Sequence, residues 1–352
     1  MEKHDSNGGH GKKGNVLLDF YEKNYKPLLI VSVLILLFSF GVIIHQVATT
    51  GDFVKKGVSL TGGISITLQA QDASLSADDL QARLISELPR SDVSVRTFGS
   101  TDSIKYHIEA SGAEENLLYE ALAKQIPGLT FEEFNKNKQT IGPTFGESFF
   151  TQTLKAVFIA FLFMSIIIFL YFGTSLKYKW ISAVLTIIGA FIMFYAQSTI
   201  AYIISFIIFF ALMTIYIIDS VPSFGIVLCA FSDLFFALAI FNLSGHTLSI
   251  GGVAAFLMLV GYSIDTDILL SVRVLKSREG TVFDRVIDAF KTGITMSLCA
   301  LIAAVVAYIF THSIVIKEIM FVLIAGLIGD IIFTWVQNVG ILRWHLEKKG
   351  WK

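Results

Sequence analysis

The chain reads as a polytopic α-helical membrane protein carrying one small α+β domain held outside its helical bundle. Three observations predict this. The 352 residues are 54% hydrophobic and 16% charged, and the mean hydropathy is +0.68, which excludes an ordinary soluble domain. The apolar residues fall into eight runs, each about long enough to cross a bilayer. Nearly half of the charged residues sit in one stretch between the first run and the second. The net charge of −1 gives no global basic field of the kind that binds nucleic acid.

The first 26 residues form a basic tail. Met1 to Gly14 is polar, Gly-rich and expected to be disordered. The run Leu28 to Val47 is expected to be an uncleaved span (residues 27–48). It is long for a signal-peptide core, and no clear small-x-small cleavage site follows it. Residues 49–149 have mixed character. Val58 to Gln69 predicts a strand interrupted at Gly62-Gly63, where a bulge or tight backbone approach is expected. Leu80, Leu84 and Leu88 give helical spacing after a Ser/Asp entry at Ser76. Asp92 to Phe98 and Ser103 to Ala110 alternate, and Gly99 to Asp102 is a hairpin signal. Ala113 to Ile126 predicts a second helix, and Leu129 to Phe134 a last strand. The order β-α-β-β-α-β is ferredoxin-like.

Residues 150–345 form the rest of the bundle. The runs are Leu154 to Phe172, Ile181 to Ala196, Ile200 to Ile218, Pro222 to Leu243, Leu248 to Leu270, Ile287 to Phe310 and Ile314 to Leu342. The break Gln197-Ser198-Thr199 suits a hairpin of two spans at about 181–218. One tilted span plus an interfacial helix is the alternative, so the bundle has five to seven spans after the first. Residues 346–352 close the chain. Lys12, Lys13, Lys23, Lys26, Lys177, Lys179, Arg273, Lys276, Arg343 and Lys348 fall on one side with either six or eight spans. Both termini are therefore expected in the cytoplasm, and residues 49–149 outside. Cys229 and Cys299 lie in apolar runs and read as small core residues, so no metal site is expected.

The residues with chemical potential are acids inside spans. Asp265 and Asp267 stand in Gly261-Tyr262-Ser263-Ile264-Asp265-Thr266-Asp267, and Asp233 and Asp330 lie in other apolar runs. A carboxylate within a span costs about 2.5 kcal/mol or more and by default marks a functional site facing a bundle interior or water path. Asp265 shares a face with Gly261, Tyr262 and Leu269. Gly261 admits a neighbouring helix, so that face is expected to be buried, and Asp265 is the favoured proton carrier over Asp267. Asp267 shares a more polar line with Ser263 and Ser271. Asp233 lies about 16 Å along its helix from Pro222, near mid-membrane. It serves either as a relay member or as a structural acid bonded to a hydroxyl. Asp330 is a possible secondary member. Lys291 could offset an acid, but snorkelling to the cytoplasmic surface is the expected role.

Four stretches, in order, resemble the protein-export membrane subunits SecD and SecF. They are Gly57-Val58-Ser59-Leu60-Thr61-Gly62-Gly63, Ile141-Gly142-Pro143-Thr144-Phe145-Gly146, Val221-Pro222-Ser223 with Ala230-Phe231-Ser232-Asp233, and Gly261 to Arg273. The spelling around Asp265 and the chain size look most like the archaeal SecF type. The resemblance implies one half of a resistance-nodulation-division-like bundle. It also implies a SecD-type partner, action beside the Sec translocation channel on an exported polypeptide, and proton flow through Asp265, Asp267 and Asp233 without a cofactor. The chain departs from the pattern in its extra hairpin and in Asp265-Thr266-Asp267, where bacterial members have Asn-Asp. A family arginine near the fifth span has no clear match. A proton-coupled exporter half of the resistance-nodulation-division class is the alternative, although this chain has only one small external domain. An intramembrane aspartyl protease would need Tyr-Asp on one span and Gly-x-Gly-Asp on the next. No Gly-x-x-x-x-Gly-Lys-Ser/Thr loop is present either, so no enzymatic activity is expected.

Overall fold

The structure, a computed structural model, describes residues 16–69, 76–89, 91–100, 103–277 and 280–350. The stretch expected to be disordered, Met1 to Gly14, lies outside the described residues. A short amphipathic helix α1 (Val16–Lys23) leads into α2 (Tyr25–Thr50), which ends at Gly51 in a left-handed conformation. Then come α3 (Val58–Thr61), β1 (Gly63–Gln69), α4 (Ala77–Glu87), β2 (Asp92–Ser100), β3 (Ser103–Ser111), α5 (Glu115–Gln125), α6 (Phe131–Asn137) and β4 (Lys138–Ile141). The remainder is helical: α7 (Pro143–Phe172), α8 (Leu176–Phe194), α9 (Thr199–Asp219), α10 (Val221–Leu243), α11 (Ile250–Lys276), α12 (Val282–Phe310), α13 (Ile314–Ile332), a π-helical segment (Phe333–Asn338) and α14 (Val339–Lys348). Among the described residues, eight helices are long and apolar enough to cross a membrane, the last running without a break from α13 to α14.

The sheet is antiparallel with order β2-β3-β1-β4, the ferredoxin-like arrangement. Alternation along β1 places Ile64, Ile66 and Leu68 on one face. They meet Leu80, Leu84, Leu118, Leu122 and Phe134 from the helices, closing a core separate from that of the bundle. Ser76 caps α4 by accepting from the Asp79 N–H, at the polar entry visible in the sequence.

Two expectations for this domain are corrected. Val58 to Gln69 is not one interrupted strand, because Val58–Thr61 is a helical turn and the strand starts at Gly63. Gly62 and Gly63 make the transition with φ of 80° and 135°, values that strain residues carrying a Cβ. A Cβ on Gly63 would also lie 2.9 Å from Ser111 Cα. Leu129 to Phe134 is not a strand either. Thr130 caps a helix there by accepting from the Glu133 N–H, and acidic Glu132 and Glu133 suit its first turn. The fourth strand follows at Lys138–Ile141.

Helices α2, α7, α10, α11, α12 and α13 form the bundle, with α10 the most deeply buried and α11 and α13 next. The α8–α9 pair is a true helical hairpin that packs on itself, on α7 and on α10. Asp219 at the end of α9 accepts from Thr174 N–H and Oγ1, both at 2.9 Å, and fastens the α7–α8 loop. The sheet domain sits on the end of the bundle that holds the α10–α11 loop. The Leu248 N–H donates to Lys55 O at 2.7 Å and the Gly57 N–H donates to Leu248 O at 2.8 Å.

Candidate functional site

Four helices and the π segment bring a polar cluster into the middle of the bundle. Asp233 on α10 and Asp267 on α11 are fully buried, and Asp330 on α13 is nearly so. The Ser263 hydroxyl donates to Asp233 Oδ2. Asn338 Nδ2 donates to Asp267 Oδ1 at 2.8 Å. Asp330 accepts from Ser297 Oγ and Thr334 Oγ1, each at 3.0 Å. Gln337 Nε2 donates to Ser232 Oγ at 3.1 Å. Each of these donors to the three acids is neutral.

Both oxygens of Asp330 are thus engaged, whereas Asp233 Oδ1 and Asp267 Oδ2 are buried without a hydrogen bond of normal geometry. Carboxylate oxygens of Asp233 and Asp267 and the Cys229 Sγ lie within 4.8 Å of one another. A small cation could bridge such a set. Protons carried by the carboxyls themselves could balance the charge equally well.

The π segment positions three of the partners. Asp330, Thr334 and Asn338 are spaced by four residues. In a regular α-helix each step of four drifts by roughly 40° around the axis. Turns closed by i→i+5 bonds hold more residues and cancel that drift. Thr334 and Asn338 are both fully buried, facing acids on different helices.

Asp265 is the main correction. It is exposed on the outer face of α11, together with Gly261 and Tyr262. Successive residues are about 100° apart, so Asp265 and Asp267 point to opposite sides of the helix. The inward side is the line Ser263, Asp267, Leu270, Ser271, which packs toward α10 and α13. Gly261 has no neighbour within 4 Å of a built Cβ, so it makes no close helix contact within this chain. Lys291 is exposed and paired with Asp288 at 3.2 Å, away from the acids. Cys229 is buried, but Cys299 is on an exposed face of α12 rather than in a core.

The motif residues of the sheet domain serve its attachment. Gly57 bonds Leu248, and Thr61 Oγ1 donates to Gly57 O at 3.2 Å. Gly142 is the N-cap of α7 and Pro143 begins it. Beside this joint, Arg96 donates to Thr247 Oγ1, which donates to Glu109 Oε2 at 3.0 Å; His107 lies 3.6 Å from Glu109. Burial pushes the Glu109 carboxyl upward. The hydrogen bond and charge of His107, the Arg96 guanidinium and the Thr247 hydroxyl outweigh that and hold it below the usual range. Glu318 is buried at the same end and accepts from the Ser249 N–H at 2.7 Å, at the N-terminus of α11.

Ser297, Thr334, Gln337 and Asn338 were not singled out from the sequence. The available signal was Thr334, Gln337 and Asn338 recurring inside an apolar run after Asp330.

The chain matches the family model of the protein export membrane protein SecD/SecF C-terminal region over residues 123–205 and 193–348. The join between the two stretches falls in the α8–α9 hairpin. The chain is 33% identical over 333 residues to the protein-export membrane protein SecF of Pyrococcus furiosus, covering 94% of each. It is 29% identical over 348 residues to that of Methanothermobacter thermautotrophicus, covering 97% of this chain and 100% of the relative. For Methanolacinia petrolearia the identity is 31% over 326 residues, covering 92% of each. The crystal structure of SecDF, a translocon-associated membrane protein from Thermus thermophilus, shares the fold. Its TM-score is 0.57 at 14% identity, with 94% of this chain matched to 39% of that longer one. The buried acids, the sheet domain between the first and second spans, and these full-length likenesses converge: the chain belongs to the SecD/SecF family, as a SecF-type member.

Proposed function

We propose that this chain is an accessory subunit of the Sec protein translocase. It works with a SecD-type subunit beside the Sec translocation channel, and proton movement through its bundle assists passage of an exported polypeptide. Asp267 and Asp233 are the central relay pair, and Asp330 is a hydrogen-bonded neighbour that holds their surroundings. One observation carries the reading: two carboxyls from different helices approach within 4.8 Å in the bundle core, each with a buried oxygen that lacks a hydrogen bond of normal geometry. Buried ionisable groups of this kind in spans mark ion or proton paths. The sheet domain is bonded to the α10–α11 loop, which joins the helices bearing both acids. A change in how those helices pack would therefore reach the domain directly. Asp265 points away from this pair and has no part in the relay.

The test is export rate across an imposed pH gradient, with equal membrane levels of each variant. Asp267→Asn and Asp233→Asn should each abolish the stimulation, and Asp267→Glu should retain some. Full activity in both Asn variants would overturn the relay. In the proposed topology both termini are cytoplasmic and the sheet domain is external. A cysteine at Glu120 should then react with an impermeant thiol reagent in intact cells, and one at Lys349 should not. Labelling at Lys349 alone would invert the orientation.

A further inference from the structure

Where the sheet domain meets the bundle there is a cavity of about 400 Å³, within the size range of small-ligand sites. Its walls come from α4 and β2 of the domain, the α10–α11 loop and the adjoining ends of α12 and α13. Three cations from separate parts of the chain line it: Lys55 before α3, Arg96 on β2 and Lys317 in the first turn of α13. All three are half-buried. Among the described residues Lys55 and Lys317 have no ion-pair partner, whereas the neighbouring Lys56 pairs with Asp52 at 2.8 Å. The nearby acids are engaged elsewhere. Glu109 answers His107, Thr247 and the charge of Arg96. Glu318 accepts the Ser249 N–H at the start of α11, and Asp78 stands exposed in the first turn of α4. Helix N-termini thus serve both of these carboxylates. Half-buried charges are normally paired, and the two lysines are left facing the cavity without a counterion.

Depth selects the anion. Tyr308 is in the last turn of α12, Ile314 and Lys317 are in the first turn of α13, and both helices are candidate spans. The ends of spans lie among lipid headgroups, where Tyr and Lys are favoured. In the same turns Phe310, Val315 and Ile316 are exposed, which suits hydrocarbon beside the opening. We infer that this cavity binds the phosphodiester of an anionic phospholipid from the leaflet at that end, with Lys55, Arg96 and Lys317 as its partners. Charge-assisted hydrogen bonds to phosphate are the strong class, and basic pockets beside spans hold anionic headgroups in this way. The lipid ties Lys55 and Arg96 on the domain side to Lys317 in the bundle. It adds to the joint that Gly57 and Leu248 already make, and it is independent of the proton relay.

The experiment uses the full chain, delipidated in detergent, with lipids added back and counted by native mass spectrometry. Phosphatidylglycerol should give one tight adduct, and phosphatidylcholine, whose headgroup has no net charge, a weaker one. Lys55→Gln combined with Lys317→Gln should weaken the phosphatidylglycerol adduct about thirtyfold, since each basic residue near anionic lipid contributes roughly fivefold. Lys55→Arg combined with Lys317→Arg should bind as the parent does. Lys177→Gln combined with Lys291→Gln, at exposed lysines toward the opposite end of the bundle, should change little. Shielding of the buried Cys229 from thiol reagents confirms that each variant is folded. Undiminished binding in the Lys55 and Lys317 glutamine pair, or an equal loss in the Lys177 and Lys291 pair, would overturn the site. Equal affinity for phosphatidylcholine would overturn the anionic selectivity and the inference with it. Inorganic phosphate alone is the last arm: it should leave the lipid adduct in place, and displacement would make the occupant a free anion rather than a lipid.

Discussion

Substitutions at Asp267 separate a carboxyl that anchors helices from one that moves protons. In Asp267→Asn the amide oxygen can still accept from Asn338 Nδ2, now 2.8 Å from the carboxylate. The new amide group takes the place of Oδ2, which has no hydrogen bond of normal geometry, and the Asp233 carboxyl lies within 4.8 Å of this side chain. No bond is lost, so the stability change should be within about 1 kcal/mol. Asp267→Ala removes the acceptor and strands a buried amide. Interhelical hydrogen bonds in membranes are worth about 0.6 kcal/mol on average and about 1.7 at most. An orphaned donor raises the loss to about 1–3 kcal/mol. In a cycle with Asn338→Ala, the coupling should be about 0.6–1.7 kcal/mol. Cys229 provides the assay because it is buried while Cys299 is exposed. In a Cys299→Ser background, a thiol-reactive fluorophore reports unfolding of detergent-solubilised protein on heating. If Asp267→Asn melts as low as Asp267→Ala, the carboxylate is an anchor and the division of roles argued here is wrong.

Two further outcomes follow from the sheet domain. Produced alone as residues 52–142, it should fold cooperatively with both helix and strand in its circular dichroism. Leu84→Ala, at a fully buried site, should cost about 3–5 kcal/mol and lower the melting midpoint by at least about 12 °C; a shift of a degree or two would mean the core is not packed as described. Because Glu109 is held below the usual carboxylate range, its contribution to the joint with the α10–α11 loop is present above that range and lost as pH falls through the lowered folded value. Spin-label distances between α5 and α13 should lengthen only in that acid window, and Glu109→Gln should remove the transition; an unchanged profile would show that Glu109 does not hold the joint.

Period and length made the bundle legible, since each apolar run became a helix and the Gln197-Ser198-Thr199 break became the turn of the α8–α9 hairpin. The sheet order was readable from alternation and hairpin chemistry. The two errors there fell where local signals compete: Val58 to Thr61 is apolar and β-compatible yet winds into one turn, and the Thr130 cap turned an expected strand into α6. The acids were visible individually as charges in apolar surroundings. Their facing was not, because the side of α11 that packs is set by α10 and α13, which spacing along α11 alone does not encode. Gly261 suggested a contact, and the structure shows none within this chain. Thr334 and Asn338 needed the π segment, whose wider turns carry no clear compositional mark.

That segment also sets the phase of everything after it. A π turn is equivalent to one additional residue inside an α-helix, so α14 is rotated by about 100° from where a regular helix would have carried it. Leu342 and Leu346 reach their core against Val274 and Val286 only through that offset, as does Gly340 where Leu29 of the first span crosses. Deleting any one residue between Phe333 and Asn338 would keep the composition nearly intact. It would still turn the whole C-terminal helix onto a different side, so the end of this chain is aligned with its beginning by residue count.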